Sequence, residues 1–148
     1  VQERATNKYR EGTYPMSLEK AVRSILIADG TVTGLVASRV YPQSRPMGTA
    51  VPAIVYQNVF EETNQALATQ GGIKRTRLSV EVFDTTYGAT KTLRNAVESA
   101  LTNYTGTTEG ETINSLRLES AVDLDEVDVP AGDFGYFRTI LDFVIWHE

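Results

Sequence analysis

The sequence predicts an α+β domain: an antiparallel sheet of about four main strands, with two helices packed on one face. Three observations carry this expectation. Two stretches repeat apolar residues at spacings of three and four, as helices do. Four others alternate apolar with polar residues or are rich in β-branched and aromatic side chains, as strands are. The strand-like stretches also come in consecutive pairs, each pair after a helix, which is the order of sequential hairpins.

The elements follow in chain order. Residues 1–15, VQERATNKYREGTYP, have no periodicity and read as an extended N-terminal arm or an added extension. Residues 16–148 read as one domain. Ser17 is a candidate N-cap. Leu18, Ala21, Val22, Ile25 and Leu26 then form one apolar helical stripe. Gly30 is expected in the left-handed position past the helix end. A short strand at Arg39–Tyr41 precedes an irregular loop, Pro42–Gly48, punctuated by two prolines and a glycine. Ala53–Glu62, AIVYQNVFEE, reads as a strand. Ile73–Asp84 alternates, with Leu78, Val80 and Val82 opposite Arg77, Ser79 and Glu81, and reads as a half-buried strand. The polar stretch between them ends in Gly71-Gly72, so the pair forms a hairpin with a long loop.

Asp84, Thr85 and Thr86 are N-cap candidates for the second helix. Its stripe is Leu93, Ala96, Val97, Ala100, Leu101 and Tyr104, and Gly106 is expected to end it. TGTTEG reads as a loop. Ile113–Leu124 alternates, placing Leu116, Leu118, Ser120, Val122 and Leu124 on one face. Gly135–His147 is the last strand, with Phe137, Leu141, Phe143 and Ile145 on one side and apolar residues on the other too.

Composition excludes several classes of function. The chain has 148 residues, which suits one domain. No apolar run approaches the roughly 18 residues of a membrane span. Cysteine is absent, which removes disulfides, thiolate metal sites and thiol nucleophiles. Val1–Pro15 has no apolar signal-peptide core, which predicts synthesis in the cytoplasm. The net charge is -5, which argues against a protein that grips nucleic acid throughout its surface. The charge is uneven: residues 1–47 hold 7 basic and 4 acidic residues, and residues 48–148 hold 7 and 15. Much of the excess lies in Glu119–Asp133, a stretch without Lys or Arg.

No constellation carries obvious chemistry. The single histidine, His147, lies one residue from the C-terminus and reads as a solvated strand end. One histidine completes neither a metal site nor a Ser-His-Asp system by itself. The acidic residues after Gly48 read as solvated faces and loop charge rather than a carboxylate pair. DLDEVDVPAGD fails the EF-hand spacing at Val127. GGIKRTR at residues 71–77 lacks the Walker pattern, and the Asn103-Tyr104-Thr105 sequon has no secretion signal beside it. The expectation is a protein that is no enzyme and needs no cofactor or metal. Its arm, its Pro-rich loop and its long hairpin loop suit it to contacts with other proteins.

Ser38-Arg39-Val40-Tyr41-Pro42, followed by Val51-Pro52-Ala53-Ile54-Val55-Tyr56-Gln57, forms a recognisable string. So do Leu78–Phe83, the helix from Tyr87 to Leu101 and the terminal Arg138–Trp146. Together, over about residues 16–147, they resemble the tail completion family of long-tailed bacteriophages, the tail terminators that join tail to head. The resemblance implies a structural virion protein, made in the host cytoplasm and located at the tail–neck junction. It implies a homo-hexameric ring that caps the tail tube protein and meets a head-side connector, or stopper, protein. DNA would only pass through its lumen, and no membrane or cofactor is involved. Protein contacts are then expected from Arg4, Lys8 and Arg10 of the arm, and from Arg45 and Met47 of the Pro-rich loop. Glu61, Glu62, Lys74, Arg75 and Arg77 of the 61–77 loop are expected to contribute as well. The acidic residues Asp123, Asp125, Glu126 and Asp128 would line the lumen or match a basic neighbour, and sequence leaves both open. Two other readings stay open: another ring-forming neck or tail tube component, and a small-ligand-binding regulatory α+β domain.

Overall fold

The computed structural model describes residues 17–46, 48–63, 72–125 and 136–148. Its elements are α1 (Ser17–Ala28), α2 (Gly30–Val36), β1 (Val40–Pro42), β2 (Ala53–Thr63), β3 (Lys74–Asp84), α3 (Tyr87–Leu101), β4 (Gly106–Thr108), β5 (Glu111–Asp125) and β6 (Phe137–His147). The class is α+β, as expected. The sheet has six strands rather than about four, in the order β1-β2-β3-β6-β5-β4. It is mixed rather than purely antiparallel, because β1 runs parallel to β2 while the other neighbours are antiparallel.

The helices cover one face. Leu18, Val22, Ile25 and Leu26 of α1 and Leu93, Val97 and Leu101 of α3 bury against Ile54, Leu78, Val80, Val82, Leu116, Leu141, Phe143 and Ile145. Both apolar stripes read from the sequence therefore face the core. Fully burying a side chain of this size contributes roughly 1.5–3 kcal/mol.

Three departures have local causes. First, Gly30 is not a left-handed helix end; it opens a third helix, α2. The Asp29 carboxylate accepts from the amides of Thr31 and Val32, both at 3.0 Å. That cap starts a new helix and sends Val32 and Val36 into the core. Second, α3 is capped by Thr86, as one candidate predicted, but it stops at Leu101. The left-handed residue after it is Asn103 (φ 64), not Gly106. TGTTEG is a tight hairpin: Glu109 and Gly110 both take positive φ (53 and 79) and turn β4 into β5, the backbone that a two-residue hairpin with the sheet's twist requires. Third, the predicted common face of β5 is broken. A register shift between Leu118 and Ser120 inserts Glu119 as an extra residue. Side chains beyond a bulge change faces. Leu118 packs on the core, while Ser120, Val122 and Leu124 share the helix-free face.

The expectation for His147 is also overturned. It is 2% exposed, and it sits between Glu111 (8%) and Thr76 (0%). Its Nδ1–H donates to Glu111 Oε1 at 2.5 Å, and its Nε2 meets the Thr76 hydroxyl at 2.7 Å. The cause lies in register: β3 places Lys74 beside His147 and β5 places Ile113 there, so the terminal residue of β6 is central in the sheet. Thr112 and Glu148 exchange two backbone hydrogen bonds just beyond it, both 2.9 Å.

A buried polar chain is stabilising only while each member keeps its partner. Glu111→Leu leaves the ring N–H without its acceptor. We expect a loss of roughly 2–4 kcal/mol in urea unfolding; an unchanged midpoint would show that the chain contributes little.

Candidate functional site

The β2–β3 hairpin carries five of the ten residues expected to make protein contacts. Residues 61–63 and 74–77 are strand, not loop, and only the connection beyond them lies outside the described residues. Cross-strand register then explains the charges. Glu62 lies opposite Arg75, and Thr63 opposite Lys74. Lys74 Nζ pairs with Glu61 at 3.7 Å, and Arg75 with Glu62 at 4.0 Å. The Arg75 guanidinium also lies 6.0 Å from the Trp146 ring centre. Arg77 reaches Glu119 of β5 at 2.9 Å. The cations of the hairpin are thus matched by acidic neighbours. Exposed pairs of this kind contribute about 0–1 kcal/mol each, so they shape the surface more than they stabilise it.

β2 is buried from Ala53 to Tyr56 and mostly exposed beyond. Val59 and Phe60 are 54% and 53% exposed, beside a bulge between Asn58 and Phe60. Sequence reasoning did not single them out. The signal was there: Val59-Phe60 is an adjacent apolar pair set between the polar pairs Gln57-Asn58 and Glu61-Glu62.

The remaining expected residues fall in different places. Arg45 is held inside the chain, its guanidinium 4.8 Å from the Tyr136 ring and 5.4 Å from the Phe83 ring. Arg4, Lys8, Arg10, Met47, Glu126 and Asp128 lie outside the described residues, and of Asp125 only the backbone is described. Asp123 faces α3. Its carboxylate accepts from Lys91 at 2.5 Å, from Thr139 at 2.8 Å and from Tyr87 at 3.4 Å. These bonds, Lys91's first, hold its carboxyl below the usual range. The same carboxylate raises Lys91 above its ordinary value. Tyr87 stacks edge-on against Phe137, with ring centres 6.2 Å apart.

No three His, Cys, Asp or Glu side chains converge on a metal-sized space among the described residues. Thr76, His147 and Glu111 stand in the order of a nucleophile, base and orienting acid. The Thr76 hydroxyl is fully buried among the described residues, however. A cleft of about 410 Å³ opens between α1, α3 and β4. On its wall the carboxylate of Asp29 is committed to capping α2, and the Tyr104 hydroxyl bonds to that of Thr108.

The described surface carries paired charges and exposed apolar strand residues. The model of the family described as Tail completion protein gp17 matches residues 20–148, and the chain belongs to that family. It is a structural protein of a phage-like virion tail, where it associates with other structural proteins. A chain in a solved structure described as the virion of a native gene transfer agent (GTA) particle shares the fold. The TM-score is 0.68 and the identity 22%, over 89% of this chain and 95% of that one. No curated protein sequence matches the chain. No helix among the described residues is long and apolar enough to cross a membrane.

The Asp123 cluster makes a pH-dependent prediction. A carboxyl lowered in the folded state adds stability above its unfolded value and loses it as pH falls through the lowered value. A lysine raised in the folded state adds stability below its unfolded value and loses it as pH rises through the raised one. Asp123→Asn should therefore lower Tm slightly between about pH 5 and pH 10, and the two proteins should converge in acid. A constant difference down to the acid end would mean that charge is not the cause.

Proposed function

We propose that the protein is a non-catalytic ring subunit that caps the tail tube and joins the tail to a head-side connector. DNA passes through the lumen of a hexamer. The observation that carries this reading is the β2–β3 hairpin, whose strands run past the helical layer with exposed Val59 and Phe60 and a border of ion pairs. Membership of the tail completion family supports it. A ring of identical subunits needs two different patches that meet head to tail, and a chain with unlike charged surfaces supplies them.

The charge balance suits a conduit. Each phosphate contact by Lys or Arg would hold DNA and make its passage salt-dependent. On the helix-free face, Arg138, Arg77 and Arg75 are offset by Glu81, Glu119 and Glu62, and Arg117 is exposed without an ion pair among the described residues. The acidic stretch after Glu119 adds no cation. The hairpin contacts the tail tube or a neighbouring subunit, and the arm residues Arg4, Lys8 and Arg10 reach an adjacent subunit or the connector.

Light scattering, with negative-stain images of the same fractions, tests the ring. We expect a closed ring with a central hole, alone or on purified tails; a protein that stays monomeric in both settings would end this reading. Changing Lys74, Arg75 and Arg77 together to Glu sets like charges beside Glu61, Glu62 and Glu119. The subunit should remain folded by circular dichroism while tail joining is lost. Normal joining would remove the hairpin from the interface.

A further inference from the structure

The sheet ends in two open edges. β1 covers β2 only from Ile54 to Tyr56, and the Gln43 amide donates to Tyr56 O at 2.8 Å. Beyond that, Gln57–Thr63 pairs on one side alone, with β3, among the described residues. At the far side, β4 covers β5 from Glu111 to Ile113, and the Asn103 amide reaches Leu116 O at 2.9 Å. From Arg117 to Asp125, β5 pairs only with β6 among the described residues. Open edges present rows of unpaired amides and carbonyls that accept another strand.

Each edge is ill-suited to a copy of itself. β2 against β2 would crowd Glu61 and Glu62, and β5 against β5 would crowd Glu119 and Asp123. The unlike edges agree in sign, since Glu62 on β2 would meet Arg117 on β5. Arg117 is exposed and makes no ion pair among the described residues.

They agree in direction and in face as well. β2 is antiparallel to β3, β3 to β6 and β6 to β5, so the two edge strands run oppositely. Rotation about an axis along the strands keeps those directions, so β2 of one subunit meets β5 of the next antiparallel. Glu62 shares the helix-free face with its register partners Arg75 and Trp146, and Arg117 shares it with Val144. With Glu62 opposite Arg117, the extra residues Val59 and Glu119 offset each other. Gln57 then meets Val122, an exposed valine on that same face.

We infer that the Gln57–Thr63 edge of β2 pairs antiparallel with the Arg117–Leu124 edge of β5 in a second copy of the chain, with Glu62 opposite Arg117. The sheets of neighbouring subunits are thereby joined into one continuous wall. This rests on the ring reading above.

The chain has no cysteine, so introduced ones report without background. In one subunit, β2 and β5 lie three strand spacings apart, about 14 Å. That is beyond disulfide reach, which ends near 7 Å between Cα atoms. The variant carrying both Glu62→Cys and Arg117→Cys, assembled and mildly oxidised, should give a ladder of cross-linked species up to the closed ring on non-reducing gels. Glu62→Cys alone should give none, and Glu62→Cys with Leu124→Cys, offset by about 23 Å along the strand, should give none either. A ring seen by light scattering without the 62–117 cross-link would overturn the edge pairing and leave the ring reading standing, as would a cross-link with Glu62→Cys alone. A chain that assembles neither alone nor on purified tails would overturn both.

Discussion

Strand β6 is the member on which the other elements depend. It is paired along its whole length on both sides, with β3 and with β5. Among the described residues, it is the only link in the sheet between the β1–β2–β3 half and the β4–β5 half. Its helix-side residues Leu141, Phe143 and Ile145 form the floor on which the helices pack, and Val144 is buried on the opposite face. The last strand of the chain is thus the middle of the sheet. Its contacts join residues far apart in sequence, so the helices have a complete floor only once the final residues are in place. The buried Thr76–His147–Glu111 chain sits at the end of this strand. It ties β3, β6 and β5 together by directional bonds where apolar packing runs out.

The sheet's two faces divide the work. The helix side collects the large apolar side chains and provides stability. The bare side carries ion pairs, small polar residues and scattered apolar ones. It is kept wet by Arg138–Glu81, Arg77–Glu119 and Ser120–Asp142. The edges differ again, with backbone groups beyond Tyr56 and Leu116 left open among the described residues. An isolated domain usually guards such edges; an assembly subunit uses them. The bulges at Val59 and Glu119 add local twist there.

The sequence was legible where one local rule acted without competition. The stripes of α1 and α3 and the alternation of β3 survived unchanged because a single face of each meets the core. Thr86 was one of three cap candidates its position offered, and the structure chose it over Asp84 and Thr85. The misreadings came where two rules competed. Gly30 could follow one helix or open another, and the carboxylate of Asp29 decided it. Gly106 could end α3, but Asn103 took the left-handed position first. The alternation of β5 was real in letters and false in space, since Glu119 adds a residue that only the partner strand reveals. The mutual pairing of the hairpin charges was not legible, because it depends on register across a long loop.

By itself, the sequence determined the α+β class, the absence of thiol chemistry and the helical stripes. Its motifs also carried the resemblance to the family that the comparisons then established. These are properties of composition and of spacing along the chain. Only the tertiary structure decided that His147 is buried, that Asp123 answers to Lys91 and that Arg45 is held between Phe83 and Tyr136. It alone revealed that the sheet has two open edges running in opposite directions. The physical reason is the same in each case. A side chain's environment in a sheet is set by the residues beside it on neighbouring strands, and strand order and register are properties of the folded chain as a whole.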